Sequence, residues 1–302
     1  MPQVKANGLS FEYDITGKDG DEPILLIMGL GAQMTLWRQP FLDKLAAKGY
    51  RVIRFDNRDA GLSAKLESLG PPDMGAVLAA YAQGQLAPAP YDLSHMAADA
   101  VAILSALGIE RAHIVGASMG GMIAQLVAAD YPERTLSLTS IMSTTGNRAL
   151  PPAKPEAMAV LNTPAPNPNE DMEGYLASAI ASARVIGSPG YPIVEANQRD
   201  LAKSNALRSY YPLGFLRQYA AVLASPDRRP KLAKVTAPSL VIHGEADPLV
   251  PVDGGKDTAA AIPGAELLLI PGMGHDLPPA LYDTIVDAIA RVAARAKAEA
   301  EA

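Results

Sequence analysis

Six short apolar runs punctuate the chain: PILLIM (23–28), RVIRF (51–55), AHIVG (112–116), LSLTSIM (136–142), PSLVIHG (238–244) and ELLLIP (266–271). A strand with one wet face alternates apolar with polar residues. A short unbroken run suits a strand covered on both faces, as in a parallel sheet. Helical patterns lie between the runs. One spans 36–48 and stops at Gly49. A second spans 93–107, with Met96, Val101, Leu104 and Leu107 on its apolar side, and stops at Gly108. A third spans 119–129, before Pro132, and an alanine-rich amphipathic stretch spans 281–294, with a frayed tail expected beyond it. Strands alternating with helices predict an α/β domain built on a mostly parallel sheet.

The alternation fails from about Ser143 to Lys234. A proline-rich stretch opens this segment, helical patterns follow near 171–185, 193–207 and 213–224, and strand signals resume at Leu240. The reading is a helical cap, residues 143–234, inserted into a core formed by residues 1–142 and 235–302. A chain of 302 residues is long enough for one large domain with such an insertion. The formal net charge is −6 and no long basic run occurs, which argues against nucleic acid as a partner. Cysteine is absent, so disulfides, thiolate catalysis and cysteine-based zinc sites are excluded. The opening residues, MPQVKANGLSFEYD, lack the apolar core of a signal peptide, and no apolar run approaches the roughly 20 residues of a membrane span. These features predict a soluble cytoplasmic protein. No pattern sets an oligomeric state.

At 111–121 the chain reads RAHIVGASMGG. Glycine weakens strand and helix interiors alike, by roughly 0.5–1 kcal/mol relative to alanine. Its use at 116 and 120, where a strand hands over to a helix, points to a turn so tight that no Cβ fits. GASMG matches G-x-S-x-G in its required strand–turn–helix context, which lifts the Ser118 hydroxyl above the sheet at a helix N-terminus. The Met119 N–H there would face a developing oxyanion. A serine hydroxyl needs a base, and the chain holds four histidines. His95 starts a helix, His113 lies inside a strand and reads as structural, and His243 ends a strand, from which it could line the site. His275 lies in the glycine-flanked loop GMGHDLP after the last strand and is the candidate base. The base needs a carboxylate to fix its tautomer. Asp247, after LVIHG, is the candidate, with Glu245 bracing its loop, Asp253 capping a helix and Asp276 beside the base. The loop Met28-Gly29-Leu30-Gly31 follows the strand PILLIM and would supply the second oxyanion donor, the Leu30 N–H. FDNRDAGLS (55–63) reads as a buried polar turn bracing the loops.

Together, MGLGAQMTLW, FDNRDAGLS, GASMGGMIAQ, GEADPLVP and GMGHDLP resemble the α/β-hydrolase superfamily across nearly the whole chain. Within it, the chain is similar to the branch of aclacinomycin methylesterase and the serine-dependent macrolide esterases. The resemblance implies an eight-stranded sheet, a helical cap after the sixth strand, and neither cofactor nor metal. One departure stands out: Met28-Gly29 occupies the place where many relatives carry His-Gly. The expected function is hydrolysis of a hydrophobic ester or lactone, with a macrolide or other natural-product ester as one candidate, through an acyl-enzyme. Gly29, Met34, Trp37, Tyr175, Tyr211 and Phe215 are the candidate substrate-lining residues, with core packing the competing reading for Trp37 and Met34. A cofactor-free haloperoxidase or perhydrolase and a carbon–carbon bond hydrolase would use the same three residues. The non-enzymatic alternative is a ligand receptor on a hydrolase scaffold.

Overall fold

The computed structural model describes residues 2–301. Its strands are β1 (Gln3–Ala6), β2 (Leu9–Thr16), β3 (Glu22–Ile27), β4 (Tyr50–Phe55), β5 (Ala112–Ala117), β6 (Thr135–Ile141), β7 (Ser239–Gly244) and β8 (Glu266–Ile270). They form one sheet in the order β1-β2-β4-β3-β5-β6-β7-β8. Pairing is antiparallel for β1 with β2 and for β2 with β4, and parallel from there on. The helices are α1 (Gln39–Ala47), α2 (Met74–Ala82), α3 (Leu93–Ala106), α4 (Met119–Asp130), α5 (Pro155–Asn162), α6 (Met172–Ile186), α7 (Glu195–Arg208), α8 (Pro212–Ala224), α9 (Arg229–Leu232), α10 (Val252–Ala261) and α11 (Tyr282–Glu301).

All six apolar runs are strands, and their side chains divide between the two faces of the sheet with a period of two. In β3, Leu25 and Ile27 pack beneath α3 and α4, against Met96, Ile103, Ile123 and Val127. Ile24 and Leu26 face the other way, toward α1 and α11, and meet Phe41, Leu45, Ile285 and Ile289. Each fully buried Leu, Ile or Phe of this kind contributes about 1.5–3 kcal/mol. Such two-sided burial is why Leu, Ile and Val dominate these runs, and why a polar residue inside one, such as His113, is paired, here with Ser137. No helix among the described residues is long and apolar enough to cross a membrane.

Several elements differ from the sequence expectation. β1 and β2 are half-wet and alternate, so they form no unbroken apolar run. The signal was Asn7-Gly8, both at positive φ, which closes a two-residue hairpin. α2 and α5 lie in stretches where no helical pattern was read. The last helix continues through Glu301 rather than ending near 294. Pro251 caps α10, and Asp253 sits in its first turn instead of capping it. Helices α5 to α9 occupy the span between β6 and β7, where no strand is found among the described residues.

His113 is fully buried within β5, its Nδ1 2.8 Å from Ser137 Oγ and its ring edge-on to Tyr50. It is structural, as its position within a strand suggests. Burial holds its pKa below the usual histidine range; the Glu22 carboxylate opposes this and Arg111 reinforces it. His243 is likewise depressed, chiefly by burial. The unfolded chain therefore takes up protons before the folded one does. The stability these neutral rings contribute is whole above about pH 6.5 and is lost as pH falls through and below it. Melting followed by circular dichroism should show the midpoint falling between pH 7.5 and 5.5, with a shallower slope in His113→Gln.

Candidate active site

The carboxyl ends of β3, β5, β7 and β8 converge, the usual place for a site in a parallel sheet. At the end of β5 the chain reverses into α4 through Ser118, whose φ is 56° and ψ −122°. A non-glycine residue held there costs about 1–3 kcal/mol and persists only when its surroundings determine it. They do: the Ser118 N–H donates to the Ile141 carbonyl at 2.9 Å, and Ser143 Oγ donates to the Ser118 carbonyl at 2.9 Å. A Cβ at Gly116 would lie 2.0 Å from the Gly120 carbonyl oxygen, and one at Gly120 would lie 2.1 Å from that of Ile27. The glycines are required by backbone crossing backbone.

His275 Nε2 lies 2.9 Å from Ser118 Oγ, and His275 Nδ1 lies 2.7 Å from Asp247 Oδ2. The other carboxylate oxygen of Asp247 accepts the N–H groups of Leu249 and Val250 at 2.9 and 2.8 Å. That leaves Oδ2 aimed at the imidazole. The loop bearing His275 is zipped onto the segment after α6. The His275 N–H donates to the Ile186 carbonyl at 2.7 Å, the Gly190 N–H to the Gly272 carbonyl at 2.9 Å, and the Gly274 N–H to Ser188 Oγ at 2.8 Å. The Ser188 hydroxyl in turn donates to Asp276, whose carboxyl is held above its usual range mainly by burial. Asp276 is thus beside the candidate base, as expected.

His243 does not line the site. It is fully buried, and its Nε2–H donates to the Val250 carbonyl at 2.8 Å, bracing the Asp247 loop from below. Glu245 is exposed and makes no side-chain hydrogen bond among the described residues.

Across from the elbow, Gly29 lies flush on the serine: a Cβ there would sit 3.1 Å from Ser118 Cβ. Among the described residues, neither the Leu30 N–H nor the Met119 N–H donates to a protein acceptor. The Met119 N–H stands at the N-terminus of α4, and the Leu30 N–H follows the glycine that lies on Ser118. Phe215 of α8 packs onto this loop; a Cβ at Gly31 would lie 2.7 Å from its ring. Met34 is fully buried, its N–H donating to Asp56 at 2.8 Å. Tyr175 is half-buried and meets Tyr210 edge to face.

Trp37 and Met34 are placed in the core and line no cavity: Trp37 is 1% exposed and stacks on Phe41 between the sheet and α1, and Met34 is 0% exposed. Tyr211 is half-buried, and its hydroxyl joins a buried ion network, accepting from Arg217 at 3.2 Å. That network is the polar turn 55–63. Asp59 pairs with Arg217 at 2.7 Å, both side chains fully buried, and accepts from Tyr91. Asp56 pairs with Arg208 at 2.7 Å, and Asn57 donates to the Met28 carbonyl at 2.9 Å. The turn is structural, as read from sequence. Sequence reasoning missed Arg217 and Gln218, although a polar pair inside the apolar helix PLGFLRQYAAVLA was a signal of buried polar contacts. Among the described residues, no cluster of three or more acidic or histidine side chains could hold a metal.

The family model described as alpha/beta hydrolase fold matches residues 22–183, more than half of the chain. The chain belongs to the α/β-hydrolase superfamily. It is a hydrolytic enzyme by that membership and by its relatives. A second model, described as TAP-like protein, matches residues 220–291. The chain is similar to rhodomycin D methylesterase DnrP of Streptomyces peucetius, at 30% identity over 292 residues, 90% of this chain and 91% of that one. Among solved structures, a meta-cleavage product hydrolase from Pseudomonas fluorescens superposes with a TM-score of 0.75 at 20% identity, over 98% of each chain. Est816, described as an N-acyl homoserine lactone degrading enzyme, gives a TM-score of 0.64 at 26% identity, over 91% of this chain and 93% of that one. The first of these structures shows the shared α/β-hydrolase fold alone.

Gly120→Ala should lower stability by about 3 kcal/mol or more in urea denaturation, because the methyl meets a fixed carbonyl. Gly108→Ala, at φ 69° in open space, should cost only about 1–2 kcal/mol.

Proposed function

We propose that this α/β-hydrolase is a serine carboxylic ester hydrolase working through an acyl-enzyme on a hydrophobic small-molecule ester or lactone. One observation carries the reading: a single imidazole, that of His275, bridges Ser118 Oγ and the Asp247 carboxylate at hydrogen-bond distance on both sides. Ser118 Oγ attacks the ester carbonyl carbon as His275 Nε2 takes its proton. The N–H groups of Leu30 and Met119 receive the tetrahedral oxyanion, and Asp247 steadies the imidazolium. Collapse expels the alcohol, which His275 protonates. Water, deprotonated by His275, then attacks the acyl group and releases the acid from Ser118.

The substrate class rests on the surroundings. Leu30 and Phe215 continue into an apolar cluster formed by α2 and α8 around Val77, Tyr219 and Leu223. The partly exposed faces of Leu30 and Phe215, beside the elbow, favour an apolar acyl or alcohol group over a charged one. The similarity to rhodomycin D methylesterase supports an ester of a bulky natural product. In this reading residues 143–234 form the cap over the site, and residues 1–142 and 235–302 form the catalytic core.

Turnover of p-nitrophenyl esters of increasing acyl length is the test. The wild type should hydrolyse at least part of the series. Ser118→Ala and Asp247→Asn should each lose about a thousandfold or more in kcat while remaining folded. Undiminished turnover in Ser118→Ala, or a wild type silent on esters yet active on ring-cleavage diketones, would overturn the ester reading. Faster acyl transfer to peroxide than to water would reassign the acceptor.

A further inference from the structure

Gln218 has a fully buried polar side chain in the middle of α8 and touches neither Ser118 nor His275. Its two amide atoms are both engaged. Oε1 accepts the Gly31 N–H at 2.7 Å, across 187 residues of sequence. Nε2 donates to the Arg58 carbonyl at 2.7 Å. Arg58 is itself fixed by a two-pronged pair with Asp99, at 2.6 and 2.7 Å. One helical turn earlier, Phe215 closes on Gly31 from the same helix. Gly31, at φ 66°, is thereby held by a hydrogen bond and a ring. Gly31 directly follows Leu30, whose N–H has no protein acceptor among the described residues.

We infer that Gln218 is a positioning residue for the oxyanion hole: it clamps the Gly31 amide and so fixes the orientation of the Leu30 N–H beside Ser118. The inference rests on the serine-hydrolase reading above, because it requires the Leu30 N–H to act on the oxyanion. The geometry gives the clamp its direction. A peptide plane is rigid, so holding Gly31 N also holds the Leu30 carbonyl and limits rotation of the preceding amide. Released from Gln218, the Gly31 N–H would find another acceptor, water included, and the loop would turn with it. A donor displaced by about an ångström forfeits roughly tenfold to a hundredfold in rate. Because the oxyanion exists only beyond the ground state, the loss should appear in kcat and not in KM.

The test compares wild type, Gln218→Leu, Gln218→Glu and Ser118→Ala with p-nitrophenyl butyrate. Gln218→Leu should lose roughly tenfold to a hundredfold in kcat with KM within about twofold. Its affinity for phenylboronic acid, which forms a tetrahedral adduct on an active serine, should fall in parallel. Gln218→Glu keeps an acceptor for the Gly31 N–H and should retain more kcat than Gln218→Leu. A merely structural role gives the opposite order, since a buried carboxylate packs worse than leucine. Hydrogen exchange supplies a readout independent of turnover: amides 28–33 should exchange faster in Gln218→Leu, with 112–117 unchanged. Should Gln218→Leu fail to fold, Gln218→Asn, one methylene shorter, makes the same comparison. Unchanged kcat in the folded variant beside an inactive Ser118→Ala overturns the clamp and leaves the serine mechanism standing. Turnover surviving in Ser118→Ala overturns the mechanism and the clamp with it.

Discussion

Everything at the catalytic end of the sheet depends on one close approach of backbone to backbone. The first turn of α4 crosses the ends of β3 and β5 so tightly that the sites at 116 and 120 have no room for a methyl group. This approach forces Ser118 into a left-handed conformation and lifts its hydroxyl clear of the sheet. It also brings Gly29, in the loop after β3, against the serine. The strain is local, whereas the support is distributed. Ile141 and Ser143, at the end of β6, hold the serine backbone from the far side.

The loops above the sheet are fixed by charge buried with its partners. Removing one member of a buried pair leaves the other uncompensated, which is costlier than never having had the pair. Asp59 with Arg217 and Asp56 with Arg208 each join the polar turn after β4 to a helix inserted between β6 and β7. Gln33 adds to this link, donating to the carbonyls of Asn205 and Ser209 while accepting from Arg208. These contacts carry no chemistry of their own. They determine where α7 and α8 stand relative to the loop that faces the serine.

What could be read in the sequence follows from how local each signal is. The strands buried on both faces and the G-x-S-x-G elbow are written in consecutive residues, and both were legible. The meeting of Ser118, Asp247 and His275 could be anticipated because each follows a recognisable strand. β1 and β2 were missed because a half-wet strand mixes polar with apolar residues, although Asn7-Gly8 marked their turn. Trp37 was misplaced because an aromatic residue just past a glycine-rich loop packs equally well downward onto Phe41 or upward into a cavity, and only the tertiary core decides. The network that anchors the Tyr211 hydroxyl was missed because Arg217 is itself bound to Asp59, a contact spanning 158 residues. No local pattern encodes such a distance.

The zip between the His275 loop and the end of α6 ties the helical segment between β6 and β7 to the loop that carries the candidate base. Gly187 and Gly274 approach so closely that a Cβ on Gly274 would lie 2.2 Å from the Gly187 carbonyl, and Ser188 is shared between Gly274 and Asp276. A chimaera that exchanged residues 143–234 for those of a relative would carry away half of these contacts and leave the histidine loop without its template. Such an exchange should keep the histidine loop in place only where 186–190 and 272–276 are transferred together.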